Sequence, residues 1–418
     1  MLRRYHGERS QMSTTGTPQA AESMIPLAVV YAIGLGSMAL VGILSPLALA
    51  ITGALHAPRS AIGLTIALFS LPAAIVATIG GGVVDRLGPR RILLLTPPVF
   101  IVADVILCTA PGVWLFDLGM LLAGIGYLGI LNGGAAMLIG ALSGARRTRA
   151  MTLWSTYAPT GFALGLLLSA PFAPSQAWRG AIAVHAAFMA VCALAAFALP
   201  HVAAIPRREG TARHRLASLF AGLRRPRVCL LGVAMAMPAM ISYGTSLAAP
   251  TYLAKVHGVS LAASASIVAV AKIVSVLLGG TVTGALLTRD FPARRLLAIV
   301  VVIGVVAQFC LFLPASPLPL AIAGLMAWLF TYGAATGVCM ATLPSLSDRD
   351  LGGGSVAGLV NQFVSLASFL TPTLYFALSD WTGYVVVAVV GLVVCLAALP
   401  GPQTAVSPPS TGSIAPVR

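Results

Sequence analysis

Twelve times along this chain an apolar run of 18–30 residues is followed by a short loop, and most of those loops carry arginine. Each run is long enough to cross the hydrocarbon core of a bilayer as a helix, which takes about 20 residues. Backbone polar groups find no water there, so only helices or closed barrels can span it, and these runs are too long for barrel strands. They fall at roughly 24–53, 60–84, 91–111, 113–142, 150–172, 178–200, 228–255, 259–287, 295–314, 317–343, 353–378 and 383–400. Only 8% of the residues are charged, against about 25% in a soluble domain. The chain is read as an all-α membrane protein.

The basic residues orient the spans. With the N-terminus on the cytoplasmic side, 21 of the 25 Lys and Arg fall in cytoplasmic loops and tails. Only Arg59, Arg179 and Lys255 fall outside, and Lys272 lies within a span. One span more or fewer would destroy this asymmetry. The expected organisation is an arm at 1–23, a six-span half at 24–200, a basic linker at 201–227, a second half at 228–400 and a tail at 401–418. Both termini are expected in the cytoplasm, and the arm has no apolar core with a cleavage site as a signal peptide would. The net charge of +15 belongs to these loops, without interleaved aromatics, so it reads as membrane orientation and not nucleic-acid binding. The six cysteines stand singly in or beside apolar runs, without metal-site or disulfide spacing, and read as packing residues. No nucleophile–base–acid set is recognisable, so an enzyme is not expected, nor a cofactor or metal.

The loop after span two reads "GGGVVDRLGPRR", with Gly81, Asp85, Arg86, Gly88, Arg90 and Arg91. A worn copy follows span eight, 203 residues later, where Thr288 and Arg289 take the places of the Asp-Arg pair. A second echo joins "GARRTRAMTLWSTY" after span four to "SDRDLGGGSVAGLVNQ" after span ten. Repeated halves of this kind are an architecture of secondary transporters, with substrate bound near mid-membrane between them. The loop resembles the signature between helices two and three of the major facilitator superfamily: a glycine, three residues, Asp-Arg, one residue, Gly and then basic residues. The resemblance covers about 24–400, and "LWSTYAPTGFALG" is similar to the cyanate/nitroimidazole-type uptake branch.

The resemblance implies a gating role for this motif. The carboxylate of Asp85 would contact the cytoplasmic edge of the other half and steady the outward-open state, its partners being the start of span 11 or, within its own half, the Arg146, Arg147, Arg149 cluster. Gly88 reads as the turn, and Arg90 and Arg91 as headgroup anchors within the motif. In the second half the latch would be reversed, with Arg289, Arg294 or Arg295 meeting Asp348 and Asp350.

Charges within spans are costly and mark function. Lys272 lies mid-span, and Ser264, Lys272, Ser275, Gly279 and Thr283 fall within one arc of about 100° of a helix. It reads either as a structurally neutralised lysine or as a cation for an anionic substrate group. Asp104 and His185, in the outer parts of spans three and six, are candidates to carry a coupling proton, although the resemblance places those helices outside the central pore. Asp117 and Asp380 read as helix-end residues. The resemblance further implies a cavity lined by helices 1, 4, 7 and 10 with 2, 5, 8 and 11 at its seam. Tyr31, Asn132, Tyr157, Tyr243, Trp328, Tyr332, Asn361 and Gln362 are the polar or aromatic mid-span residues there, each a substrate-contact candidate that could equally be packing.

Two departures bear on coupling. Met120 stands where many family members carry an arginine in span four, and Pro171 follows Ala170, so the antiporter pattern of a glycine directly before a proline is incomplete. The expectation is a monomeric transporter in a bacterial inner membrane, moving a small organic solute, an anion by preference, by alternating access with an ion such as a proton. The alternative is a proton-antiport efflux pump for drugs or toxic metabolites.

Overall fold

The computed structural model describes residues 24–58, 61–154, 156–202, 223–346, 353–378 and 380–400. Among them the chain is helical, without strands. The helices are α1 (Ile25–Ala54), α2 (Ala61–Leu87), α3 (Pro89–Thr109), α4 (Val113–Ala141), α5 (Gly144–Trp154), α6 (Tyr157–Ser169) and α7 (Trp178–Ala196). After the linker come α8 (Pro226–His257), α9 (Leu261–Leu287), α10 (Ala293–Phe312), α11 (Leu318–Thr342), α12 (Gly353–Ala377) and α13 (Trp381–Ala398). Among the described residues nine helices are long and apolar enough to cross a membrane: α1, α3, α4, α7, α8, α9, α10, α11 and α13. Large apolar side chains such as Trp114, Ile75, Val191 and Leu194 stand exposed on the outside of the bundle, a surface suited to lipid.

The fifth span differs from its sequence expectation. A continuous run over 150–172 was expected, but the polar, arginine-bearing α5 ends at Trp154, and a separate α6 starts at Tyr157 and passes into a 3-10 turn at Ala170–Phe172. The reason is local. Pro159 lacks an N–H and suits the first turn of a helix, so α6 starts just before it, and Pro171 lies in the 3-10 turn that ends it.

Packing repeats between the halves. In the first, α1 lies on α6, α2 and α3 on α4, and α3 on α7; in the second, α8 lies on α12, α9 and α10 on α11, and α10 on α13. Across the seam α2 meets α12 and α9 meets α6, the same relation taken twice. A third seam contact joins α1 to α8, where the buried Ser45 hydroxyl donates to the Leu247 carbonyl at 3.0 Å.

Close approach depends on glycine at α1–α6. A Cβ built on Gly42 would lie 2.1 Å from the Phe162 carbonyl oxygen, and one on Gly165 would lie 2.0 Å from that of Ala39. At Gly88 the backbone takes φ +81°, a conformation glycine adopts without strain. It ends α2, its N–H donating to the Val84 carbonyl at 2.8 Å, and begins α3.

Antiparallel α3 and α7 are clamped at both ends. Arg90, in the first turn of α3, donates from Nε to the Leu199 carbonyl at 2.8 Å and from a terminal nitrogen to that of Phe197 at 3.3 Å. Arg179, in the first turn of α7, donates from Nε to the Cys108 carbonyl at 2.9 Å and from a terminal nitrogen to that of Ala110 at 3.5 Å. Each guanidinium thus meets the unpaired carbonyls and negative dipole end of the other helix. Arg90, expected as a headgroup anchor, is thus also tied to protein carbonyls. Arg91 is exposed.

Candidate functional site

Lys272 of α9 is only 5% exposed. The arc expected from its spacing is present, since Ser264, Lys272, Ser275, Gly279 and Thr283 are all buried. Its Nζ donates to the Ser246 hydroxyl of α8 at 2.7 Å. The proton of that hydroxyl is committed to the Ser242 carbonyl, also at 2.7 Å, so Ser246 faces the ammonium as an acceptor. On another side stands the ring of Phe162, with its centroid 5.2 Å from Nζ. Phe162 belongs to α6, so the surroundings of Lys272 are built from both halves. The Phe162 ring in turn meets Tyr243 of α8 edge-on, centroids 6.1 Å apart.

A lysine ammonium has three donors, and here one is used in a hydrogen bond. Among the described residues no carboxylate lies within ion-pair distance of it. Hydrogen-bonding capacity within one turn of Ser246 is also unspent: the Tyr243 and Ser242 hydroxyls of α8 are buried with no partner among the described residues. A buried amine with free donors on the seam of the two halves is chemically an acceptor-seeking site.

Tyr127 of α4 lies within electrostatic reach of Tyr157 on α6, Tyr243 on α8 and Tyr332 on α11. Tyr127 also packs on Phe69 of α2, with centroids 4.9 Å apart. Tyr157 is stacked on Trp154 at 4.1 Å, and Tyr31 donates its hydroxyl proton to Thr156 at 2.8 Å.

The other sequence candidates are dispersed. Asn132 bonds its own helix, Nδ2 to the Leu128 carbonyl at 3.0 Å. Gln362 reaches across the seam from α12 to the Ala74 carbonyl of α2. Asn361 is exposed on α12. Trp328 is fully buried within the second half, near Gly304 of α10. Asp117 is no cap: it accepts from the Thr65 hydroxyl of α2 at 2.5 Å. Asp380 does cap α13, its Oδ1 accepting from the Gly383 N–H at 3.1 Å. Arg289, Arg294 and Arg295 are exposed. Asp348 and Asp350, and the side chains of Gly81, Asp85 and Arg86, lie outside the described residues.

Asp104 and His185, read separately from the sequence, are partners. His185 Nδ1 lies 2.8 Å from Asp104 Oδ2, and both side chains are fully buried. His185 Nε2 lies 2.8 Å from the carbonyl oxygen of Gly36 on α1. The ring edge of Phe100 closes a further side, with centroids 6.0 Å apart.

Sequence reasoning missed Phe162, Ser246 and Tyr127. A phenylalanine or serine in an apolar helix carries no signal of its own, and Tyr127 sits in the glycine-rich run "GIGYLGILNGG", which reads as packing.

Comparison with known proteins agrees with the helical arrangement. Among solved structures, the chain resembles a bacterial homologue of the human lysosomal transporter Spinster, captured inward-facing and unoccupied. That likeness has TM-score 0.65 and 16% identity over 91% of this chain and 95% of that one. It also resembles the nucleoside transporter NupG, with TM-score 0.69 and 15% identity over 90% of this chain and 98% of that one. A search of curated protein sequences gives no significant match. The sequence profile of the Major Facilitator Superfamily matches residues 28–372. With that match, the repeated packing of its halves and the loop signature at Gly81–Arg91, the chain belongs to the major facilitator superfamily: it is a multi-pass membrane transporter and not an enzyme.

Proposed function

We propose that the protein moves a small organic anion across the membrane by ion-coupled alternating access, with Lys272 as the cation that meets the anionic group. The observation that carries this reading is the buried ammonium of Lys272, held by Ser246 and faced by Phe162 from the other half, with no acid beside it among the described residues. A buried charge without a partner is costly, and an anionic cargo supplies the partner. Tyr243, Tyr127, Tyr157 and Tyr332 offer hydroxyls and flat ring faces for the remainder of the solute. Because the site draws on α6, α8 and α9, rocking of the halves takes Phe162 away from the ammonium and changes the affinity for the anion.

The arginine-rich end is assigned to the cytoplasm and the membrane to the bacterial inner membrane, on the charge asymmetry of the loops. Asp85, with Gly81 and Arg86, is assigned to the gate of the first half, and Arg289 with Asp348 and Asp350 to that of the second. The test is uptake into proteoliposomes of a panel of small mono- and dicarboxylates. Lys272→Met abolishes uptake of the accepted acid while the protein stays monodisperse; uptake at the wild-type level removes the lysine from the site.

A further inference from the structure

We infer that Asp104 and His185 form a one-proton binding site whose occupancy is reported to α1 through the Gly36 carbonyl, and that this is the seat of the coupling ion. The inference rests on the chain being a transporter; it does not need the cargo to be an anion.

The geometry constrains the protons. A carbonyl oxygen only accepts, so at 2.8 Å from Gly36 the Nε2 of His185 must carry its hydrogen and donate. The 2.8 Å contact between Nδ1 and Oδ2 then needs one hydrogen of its own. Either the imidazolium faces the carboxylate, or the neutral imidazole accepts from the carboxylic acid. These two forms have the same composition, and both are neutral overall. Removing that one proton leaves a lone pair facing a carboxylate oxygen, with a net negative charge in a site fully shut from solvent. The second carboxylate oxygen, Oδ1, has no described partner to take up that charge.

The response to proton loss is also constrained. Helices α3 and α7 cannot simply part, because Arg90 holds one end of the pair and Arg179 the other. What can change is the imidazole orientation, and turning it withdraws the Nε2–H from Gly36. Position 36 suits this contact: a Cβ there would lie 2.4 Å from the sulfur of Met189 on α7, so glycine lets α1 lie against α7 beside His185 without displacing its side chains. From α1 the signal has a short path. The backbone contacts of Gly42 and Gly165 bind α1 to α6, and α6 carries Phe162 to the ammonium of Lys272. Proton site and cargo site are thus joined by packed backbone with two discrete arrangements at one end, the physical form a coupling requires.

Other ionisable groups on the surrounding helices are accounted for. Cys108 on α3 lies within electrostatic reach of Asp104 and of Arg179. Cys192 is further along α7. Tyr31 on α1 is bonded to Thr156, and on α4 Asp117 is bonded to Thr65 while Tyr127 packs on Phe69. None of them bonds to either member of the pair.

The distinguishing variant is Asp104→Asn. An asparagine amide donates to Nδ1 permanently, so both hydrogen bonds survive while the exchangeable proton is gone. A merely structural role predicts wild-type behaviour; a proton site predicts that the response to pH is lost. The readout is the spin-label distance between positions 24 and 291, exposed residues at the arginine-rich ends of the two halves. The labels are carried on non-natural residues that leave the native cysteines in place, with the full chain in lipid nanodiscs at about pH 6 and about pH 9. We expect the wild-type distance distribution to shift between the two conditions and that of Asp104→Asn to stay fixed. A wild-type distribution that does not move, or an Asp104→Asn distribution that moves as far as wild type, overturns the inference. Should Asp104→Asn fail to fold, ¹⁵N-histidine spectra of wild type decide, with His185→Gln identifying the resonance. Nε2 keeps its hydrogen throughout and Nδ1 changes with pH; an unchanged Nδ1 overturns the inference. No transported solute is needed, so failure here is distinct from failure of the anion reading.

Discussion

The two halves share a packing plan and differ in where they keep their charge. Counted by the 203-residue offset of the loop motifs, Lys272 in the second half falls opposite Phe69 in the first. Asp104 falls within one residue of Gln308, and His185 falls opposite Ala388. Gln308 is buried as Asp104 is, and it too reaches the first helix of its half, Nε2 to the Thr245 hydroxyl of α8 at 3.3 Å. The same frame therefore holds a titratable pair on one side and a neutral amide on the other. One half carries a buried Asp–His pair and the other a buried lysine facing the seam. On the reading proposed above, asymmetry of this kind would let a single rocking motion register two different ligands.

Predictions that probe this division run from large to small. Lys272→Met removes a buried charge from its cargo; losing one partner of such a pair costs about 3 kcal/mol, roughly a hundredfold in apparent affinity. It should leave the pH response of the spin-label distance intact, and loss of both together would mean that the halves are not separable. Gly165→Ala forces α6 off α1, an overpacking that costs about 2 kcal/mol. A melting temperature in detergent unchanged from wild type would show that the backbone contact is looser than described. Phe162→Leu keeps the bulk but not the π face behind the ammonium, worth about 1 kcal/mol or roughly fivefold in uptake affinity; an increase in affinity would assign the ring to blocking the site. Arg90→Ala uncaps α7 at a cost of about 0.5–1 kcal/mol. That small loss of thermal stability should come with unchanged affinity, and a drop in transport without a drop in stability would return Arg90 to the gate.

Much of the frame was legible in the sequence because it is local. Run length and arginine placement mark the spans, and the loop motif with its distant copy marks the repeat. The arc through Ser264, Lys272, Ser275, Gly279 and Thr283 needs only the 100° step of one helix. Contacts between helices were not legible. Asp104 and His185 are 81 residues apart, and whether they meet depends on the rotation and depth of α3 against α7. A uniformly apolar helix encodes neither, since it has no polar face to fix its rotation. Ser246 and Phe162 were hidden for the same reason, and Arg90 because a carbonyl acceptor at a helix end carries no residue type to search for. The division of span five is marked in the sequence by Pro159 and by the polarity of "GARRTR" ahead of the apolar run.

The seal between α1 and α8 has a consequence for speed. Ser45 meets a backbone carbonyl, not a charge. A hydroxyl–carbonyl bond exchanged for bonds to water contributes on the order of 1 kcal/mol net, close to the energy of thermal agitation itself. A bolt that light does not need forcing. On the proposed alternating-access reading, this contact adds little to the barrier against opening at α1 and α8, and the resistance falls to the packing of α2 on α12 and of α9 on α6.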